Sequence, residues 1–144
     1  RSTADGYRRV LESLWLLDPV PVWELGGSQF TRLGRSPKHH LADPALAARL
    51  LGLNEAKLLG TGGGPVGPEG KTVLGSMFES LATLWIRVAA QAAEADVGHL
   101  RTRNGDHEVD LVVIREDGDV LAIEVKAAGA ADDGDAKHLQ WLRR

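Results

Sequence analysis

The stretch EVDLVVIREDGDVLAIEVKAA, residues 108–128, reads as two strands around a turn. Residues 107–115 and 119–127 are rich in Val, Leu and Ile, which suit a pleated, half-buried surface. Glu116-Asp117-Gly118 separates them, and a three-residue loop with Gly in the left-handed position is a common hairpin type. That loop sets the register: Asp110 lies opposite Glu124, and Glu108 opposite Lys126. A two-residue loop at Asp117-Gly118 would pair Asp110 with Val125 and mix polar with apolar residues on both faces. The hydrophobic pattern therefore selects the first register. One face then carries Val112, Ile114, Val120 and Ala122, with Asp110, Glu124 and Lys126 gathered at one end. The other carries Val109, Leu111, Val113, Ile123 and Val125. A strand pair apolar on both faces belongs in the middle of a sheet covered on two sides.

Two carboxylates directly opposed across a ladder have β-carbons about 5 Å apart and repel one another. Such a pair is relieved by a divalent cation, and Mg²⁺ is typically held by one or two carboxylates plus water and substrate phosphate. A lysine beside them can steady a phosphate or help position and deprotonate an attacking water. The bland alternative is a solvated sheet face, on which Glu and Lys are common.

Composition bounds the rest. The chain has 144 residues, 43% hydrophobic and 26% charged, as suits one globular domain or one domain plus part of another. No run of about 18 apolar residues is evident, so no membrane span is expected. The chain starts at Arg1 rather than Met, without a basic-then-apolar leader, and reads as a piece of a longer protein. Cysteine is absent, which excludes disulfides and thiolate metal sites and fits a reducing cytoplasm. Net charge is -3 but uneven. Residues 1–40 hold six Lys/Arg against four Asp/Glu, whereas residues 41–144 hold eleven against sixteen. A polyanion would prefer the first segment or a local patch.

Other elements follow from periodicity. Tyr7, Val10, Leu11, Leu14 and Leu17 predict an amphipathic helix over 3–17, stopped by Asp18-Pro19. Residues 20–33, VPVWELGGSQFTRL, predict a hairpin around Gly26-Gly27-Ser28. Helix then hairpin is how a winged helix ends, so residues 1–35 are expected to be a partial winged-helix segment; a packing appendage fits them equally. In SPKHHLADPALAARLLGL, Asp43 is a good N-cap and Pro44 a good first helical residue. Leu46, Leu50, Leu51 and Leu53 supply an apolar face. Residues 60–70 are a Gly/Pro-rich loop. GPVGPEGKT there imitates a phosphate-cradling loop, but position 65 is Pro where Gly is needed and no strand precedes it. Residues 76–95 predict a largely buried helix carrying Phe78, Leu81, Leu84, Trp85 and Val88. Residues 97–103 form a strand, Asn104-Gly105 a two-residue turn. Asp133 or Asp135 caps a last helix with Leu139 and Leu142.

Asp110, thirteen residues, then Glu124-Val125-Lys126 resembles the D-x(n)-E-x-K signature of the PD-(D/E)xK, restriction-endonuclease-like superfamily. More narrowly, SPKHHLADPALAARLLGL, LGSMFESLA and EVDLVVIREDGDVLAIEVKAA, in that chain order, resemble three blocks of the C-terminal domain of unknown function of predicted prokaryotic AAA-type ATPases. The resemblance covers about residues 5–143. It departs from that pattern at Asp43-Pro44-Ala45-Leu46, where a Gly usually precedes the leucine, and the family's sheet continues beyond the last helix whereas this sequence stops at Arg144.

The resemblance implies an α/β fold: a restriction-endonuclease-like mixed sheet flanked by helices over residues 36–144, cut short at its C-terminus. It implies that Glu79, Asp110, Glu124 and Lys126 occupy the active-site places, with Glu79, Asp110 and Glu124 holding Mg²⁺ or Mn²⁺. It implies nucleic acid, DNA in particular, as partner and an ATPase domain upstream. Ser76-x-x-Glu79 also reads as a capping box, which would occupy Glu79 at a helix start. Gln140 is either an accessory phosphate contact or a solvated helix residue. His39, His40, His99, His107 and His138 lack metal-site spacing; His107 is either a substrate contact or a surface residue. Arg101 and Arg103 suit a phosphate backbone or cross-strand pairs with Glu108 and Asp106. A non-catalytic DNA- or protein-binding module with the same fold is the competing functional expectation.

Overall fold

The computed structural model describes residues 3–24, 36–61, 68–102 and 105–143, with side chains left undescribed over 68–72. Its elements, in chain order, are α1 (Thr3–Ser13), β1 (Leu17–Val20), β2 (Lys38–Leu41), α2 (Pro44–Leu50), α3 (Glu55–Leu59), α4 (Pro68–Ala92), β3 (Asp96–Arg101), β4 (Glu108–Ile114), β5 (Val120–Ile123) and α5 (Lys137–Leu142). The architecture is mixed α/β, with two small antiparallel sheets, β1-β2 and β3-β4-β5.

The hairpin that opened the sequence reading has the expected register. Leu111 pairs with Ile123, Val112 with Ala122 and Ile114 with Val120. Gly118 takes φ 90°, and the Arg115 N–H bonds the Asp119 carbonyl at 3.0 Å. A side chain is strained at that φ, so Gly118 is what allows the three-residue loop. Val109, Leu111 and Val112 are fully buried, so both faces of β4 are covered as expected. On one side Leu139 and Leu142 of α5 pack against the core of Trp23, Leu100, Val109 and Val112. β5 ends at Ile123, short of the expected 127. The cause is a side chain: the Val125 N–H donates to Asp110 Oδ2 at 2.9 Å, replacing the next ladder bond. β5 has no second strand neighbour among the described residues, and Leu121 is exposed.

β3 reaches β4 through a turn at which Gly105 has φ 73° and the Thr102 N–H bonds the His107 carbonyl. Asn104 lies outside the described residues. Among the described residues, the two sheets meet at a parallel bridge, Val22 to His99. The Trp23 N–H donates to the His99 carbonyl at 2.6 Å and the His99 N–H to the Pro21 carbonyl at 2.9 Å. This approach needs Gly98, where a β-carbon would lie 2.9 Å from Trp23 Cβ and 3.1 Å from the Pro21 oxygen.

Several expectations are corrected. α1 ends at Ser13, not Leu17, because Trp15 turns left-handed (φ 58°) and the Leu16 N–H bonds back to the Leu11 carbonyl. Asp18-Pro19 sits inside β1, whose partner is β2 rather than a strand within 20–33. Residues 25–35, which hold the expected Gly26-Gly27-Ser28 turn, lie outside the described residues, as does Arg103. α2 starts as read, with Asp43 accepting from the Leu46 N–H at 3.0 Å and Pro44 at the first position. Its expected apolar face is nevertheless open: Leu46, Leu50 and Leu51 are exposed. Neither Asp133 nor Asp135 caps α5. The N-cap position is Ala136, without a side-chain cap, and Asp135 and Asp132 bond each other's backbone amides.

The largest correction concerns α4. It starts at Pro68, eight residues before Ser76, so Ser76 and Glu79 lie inside the helix and form no capping box. Its buried residues are Met77, Ser80, Thr83 and Ala90, while Phe78, Leu81, Leu84, Trp85 and Val88 remain exposed. The Thr83 hydroxyl donates to the Glu79 carbonyl at 2.8 Å, and the Ser80 hydroxyl accepts from the Leu41 N–H at 3.2 Å. By length and composition alone, Val73–Ala92 is long and apolar enough to cross a membrane. Its two charges are engaged within the protein: Glu79 with Lys38, and Arg87 with Asp18 at 2.6 Å. An apolar groove of about 770 Å³ runs between α2, α3 and this helix, lined by Leu53, Leu58, Met77 and Leu81 among others.

Candidate metal centre

β4 starts with Glu108-Val109-Asp110, and strand alternation sends Glu108 and Asp110 to the same face. α4 brings Glu79 to that face, and β2 brings Lys38. The Lys38 Nζ lies 2.5 Å from Glu79 Oε1, 3.1 Å from Asp110 Oδ1 and 3.3 Å from Glu108 Oε1. One ammonium therefore sits among three carboxylates. Glu124 follows β5 directly and shares a side-chain hydrogen bond with Asp110. Its side chain is only 8% exposed, and its Oε1 atom is buried with no hydrogen-bond partner. Lys126 Nζ is 3.7 Å from Glu124 Oε2, at the more open edge.

The structure thus brings Glu79, Asp110, Glu124 and Lys126 into one cluster, and adds Lys38 and Glu108. Lys38 belongs to the SPKHHL block, but KHHL has no apolar alternation, so nothing in its pattern marked a strand. The lysine within that block was the available signal. Gln140 is exposed on α5. His107 is stacked on Trp141, ring centroids 4.0 Å apart and planes 9° apart, with its Nδ1 3.3 Å from that of His138. Buried His40 and His99 stand behind the cluster, and burial, followed by the charge of Lys38, pushes both below the usual imidazole range, His40 to about 4.

The carboxyls are differentiated. Burial and then the Asp110 charge push Glu124 up to about 7. Burial also raises Glu79, against the opposing pull of Lys38. Burial alone would raise Asp110, but the Val125 N–H and Lys38 together hold it below the usual range. Burial alone would lower Lys38; its contacts with Glu79 and Asp110 outweigh that and raise it. Of the two carboxyls, Glu124 is therefore the one that holds a proton to higher pH.

A prediction follows from Glu124. Its carboxyl has an ordinary value of 4.5 and titrates near 7 in the folded chain. Between those values the folded state holds a proton that the unfolded state has lost, so this group makes stability fall as pH rises from 4.5 to 7. His40 and His99, shifted downward, act in the opposite sense. The readout is therefore a difference: with chelator present, the melting temperature of Glu124→Gln relative to the unaltered chain is expected to climb across that window. Parallel profiles would refute the assignment.

Among the described residues, no three His, Asp or Glu side chains stand ready around a metal ion. Lys38 takes the position between Glu79, Glu108 and Asp110. The Asp110–Glu124 pair still fits a hard divalent cation, because the orphaned Glu124 oxygen offers a buried acceptor beside an ionised carboxylate. A cleft of about 380 Å³ opens from Glu124 and Lys126 toward Ala128, Gly129, Ala131 and Ala136. Its small side chains leave room for a ligand at that edge.

Fold and cluster together define an α/β domain with a buried acid–lysine centre at the seam of two sheets. Residues 74–144 match the family model described as Domain of unknown function (DUF4143). The matched segment contains Glu79, Asp110, Glu124 and Lys126 but not Lys38. No curated protein and no solved structure matches the chain.

Proposed function

We propose that Asp110 and Glu124, with Glu79 beside them, hold Mg²⁺ or Mn²⁺ and that the centre cleaves phosphodiester bonds in nucleic acid, DNA foremost. The observation that carries this is Glu124 Oε1, a buried carboxyl oxygen without a partner next to an ionised carboxylate. Buried polar atoms are almost always satisfied, and an unmatched one points to an ion or ligand. When bound, the cation would supply charge to a phosphoryl oxygen and lower the pKa of a water. Lys126, at the open edge, meets the incoming phosphate and orients the attacking water. Asp110, held below the usual carboxylate range, and Glu124 would be the residues to hold the cation, Glu124 in its deprotonated form. The restriction-endonuclease-like fold belongs to this reading, as does a setting alongside an AAA-type ATPase, with which the matched domain is generally found.

Calorimetric titration with Mn²⁺ tests it. Saturable binding is expected for the chain, weakened at least tenfold in Asp110→Asn, which keeps the side chain's shape and its acceptor for the Val125 amide. Unchanged affinity in that variant sinks the proposal. A second reading, a non-catalytic nucleic-acid- or protein-binding module of the ATPase, is favoured by one specific observation: Lys38 already occupies an oxygen of each of three carboxylates. DNA binding would then survive loss of Glu124 and Lys126 and fall steeply with salt.

A further inference from the structure

Lys38 is held by three carboxylates from two elements, Glu79 of α4 and Glu108 and Asp110 of β4, all within 3.3 Å of its Nζ. Its side chain is 25% exposed, so the ammonium is largely out of water. Its three donors match three acceptors, the number an ammonium can satisfy. Carboxylate oxygens converging on one positive centre also suit a hard cation, although Mg²⁺ holds its oxygens closer than an ammonium does and fills the rest of its octahedron with water. The residue arrives from β2, in the other sheet, and so reaches the carboxylates from outside the segment that carries them.

We infer that Lys38 is a tethered cation that competes with the divalent ion for Glu79 and Asp110. The inference rests on the metal-binding reading above and adds a regulatory partner to it. With Lys38 in place, Glu79, Glu108 and Asp110 each have an oxygen engaged by its ammonium, and only the Asp110–Glu124 side is available to an incoming ion. Withdrawal of the ammonium frees Asp110 Oδ1 and Glu79 Oε1 together, so a fuller ligand set forms in one movement. The released ammonium lies beside the new centre, where an anionic phosphate ligand would be its next partner. Phosphate binding and metal entry would then favour each other, since each stabilises the withdrawn position of the same side chain.

The test is Mn²⁺ titration by calorimetry on the unaltered chain and on Lys38→Met, Lys38→Arg and Lys126→Met, with each variant's fold checked by its melting curve. Lys38→Met is expected to bind at least tenfold more tightly, Lys38→Arg no more tightly than the unaltered chain, and Lys126→Met to gain less than threefold. Equal gains in Lys38→Met and Lys126→Met would mean that any nearby charge acts alike and would overturn competition. Equal affinity in the unaltered chain and Lys38→Met would overturn it while leaving the metal reading intact. Binding seen only in Lys38→Met would uphold competition while removing the metal reading for the unaltered chain. Absence of binding in all four would overturn both. Should Lys38→Met fail to fold, the Lys38 side chain of the unaltered protein, labelled at Cε, is expected to shift on Mg²⁺ addition; an unmoved signal at saturation overturns the inference.

Discussion

Truncating Asp110 to alanine is expected to destabilise the fold by about 3 kcal/mol, since removing one partner of a buried charge cluster leaves the others uncompensated. Asp110 is the hub: it accepts from the Val125 N–H, pairs with Lys38, and shares a hydrogen bond with Glu124. Its loss removes the only observed partner of the Val125 amide beyond the end of β5, and withdraws one counter-charge from Lys38. Urea unfolding followed by circular dichroism gives the measurement. Asp110→Asn retains an acceptor for Val125 and should lose less. If the alanine variant unfolds within 0.5 kcal/mol of the unaltered chain, a value typical of a surface substitution, the cluster is not the buried network its distances describe.

The second large effect lies in the core. Leu111 is fully buried at the centre of β4, between β3 and β5. Leu111→Ala is expected to cost about 3 kcal/mol, a lost transfer contribution plus the cavity left behind. The cost should appear as a lower denaturation midpoint with an unchanged slope. Leu121, exposed on the edge strand, is the internal comparison, and its truncation should stay within about 0.5 kcal/mol. Equal losses at both positions would mean that β5 is covered in solution by something that buries Leu121.

What could be read in the sequence was local. Gly118 and the lengths of the two apolar runs determine the hairpin register, and that register places Asp110 beside Glu124 whatever the rest of the chain does. Asp43-Pro44 marks a helix start through bonds spanning three residues. The extent of α4 was not legible in the same way. Ser76-x-x-Glu79 is a sound capping signal, but Pro68 begins the helix earlier and overrides it. Apolar composition identifies the helix but not which of its faces is covered, so it predicts for Phe78, Trp85 and Val88 a core that they do not join. Lys38 was hidden for a different reason. Its partners are residues 79, 108 and 110, far along the chain, and a strand written KHHL carries no hydrophobic period to announce itself.

The position of Lys38 bears on where this protein can be cut. A fragment chosen to match the family segment, beginning at residue 74, would carry every acidic member of the centre and leave behind the lysine that pairs with three of them. The boundary of sequence similarity and the boundary of the ion-pair cluster therefore fall in different places. A self-sufficient unit has to reach back at least to the strand bearing Lys38, and through its pairing with β1 to the bridge at Val22. Dissection along the family boundary would produce a chain with unbalanced negative charge, and any affinity for metal measured on it would belong to the fragment rather than to the protein.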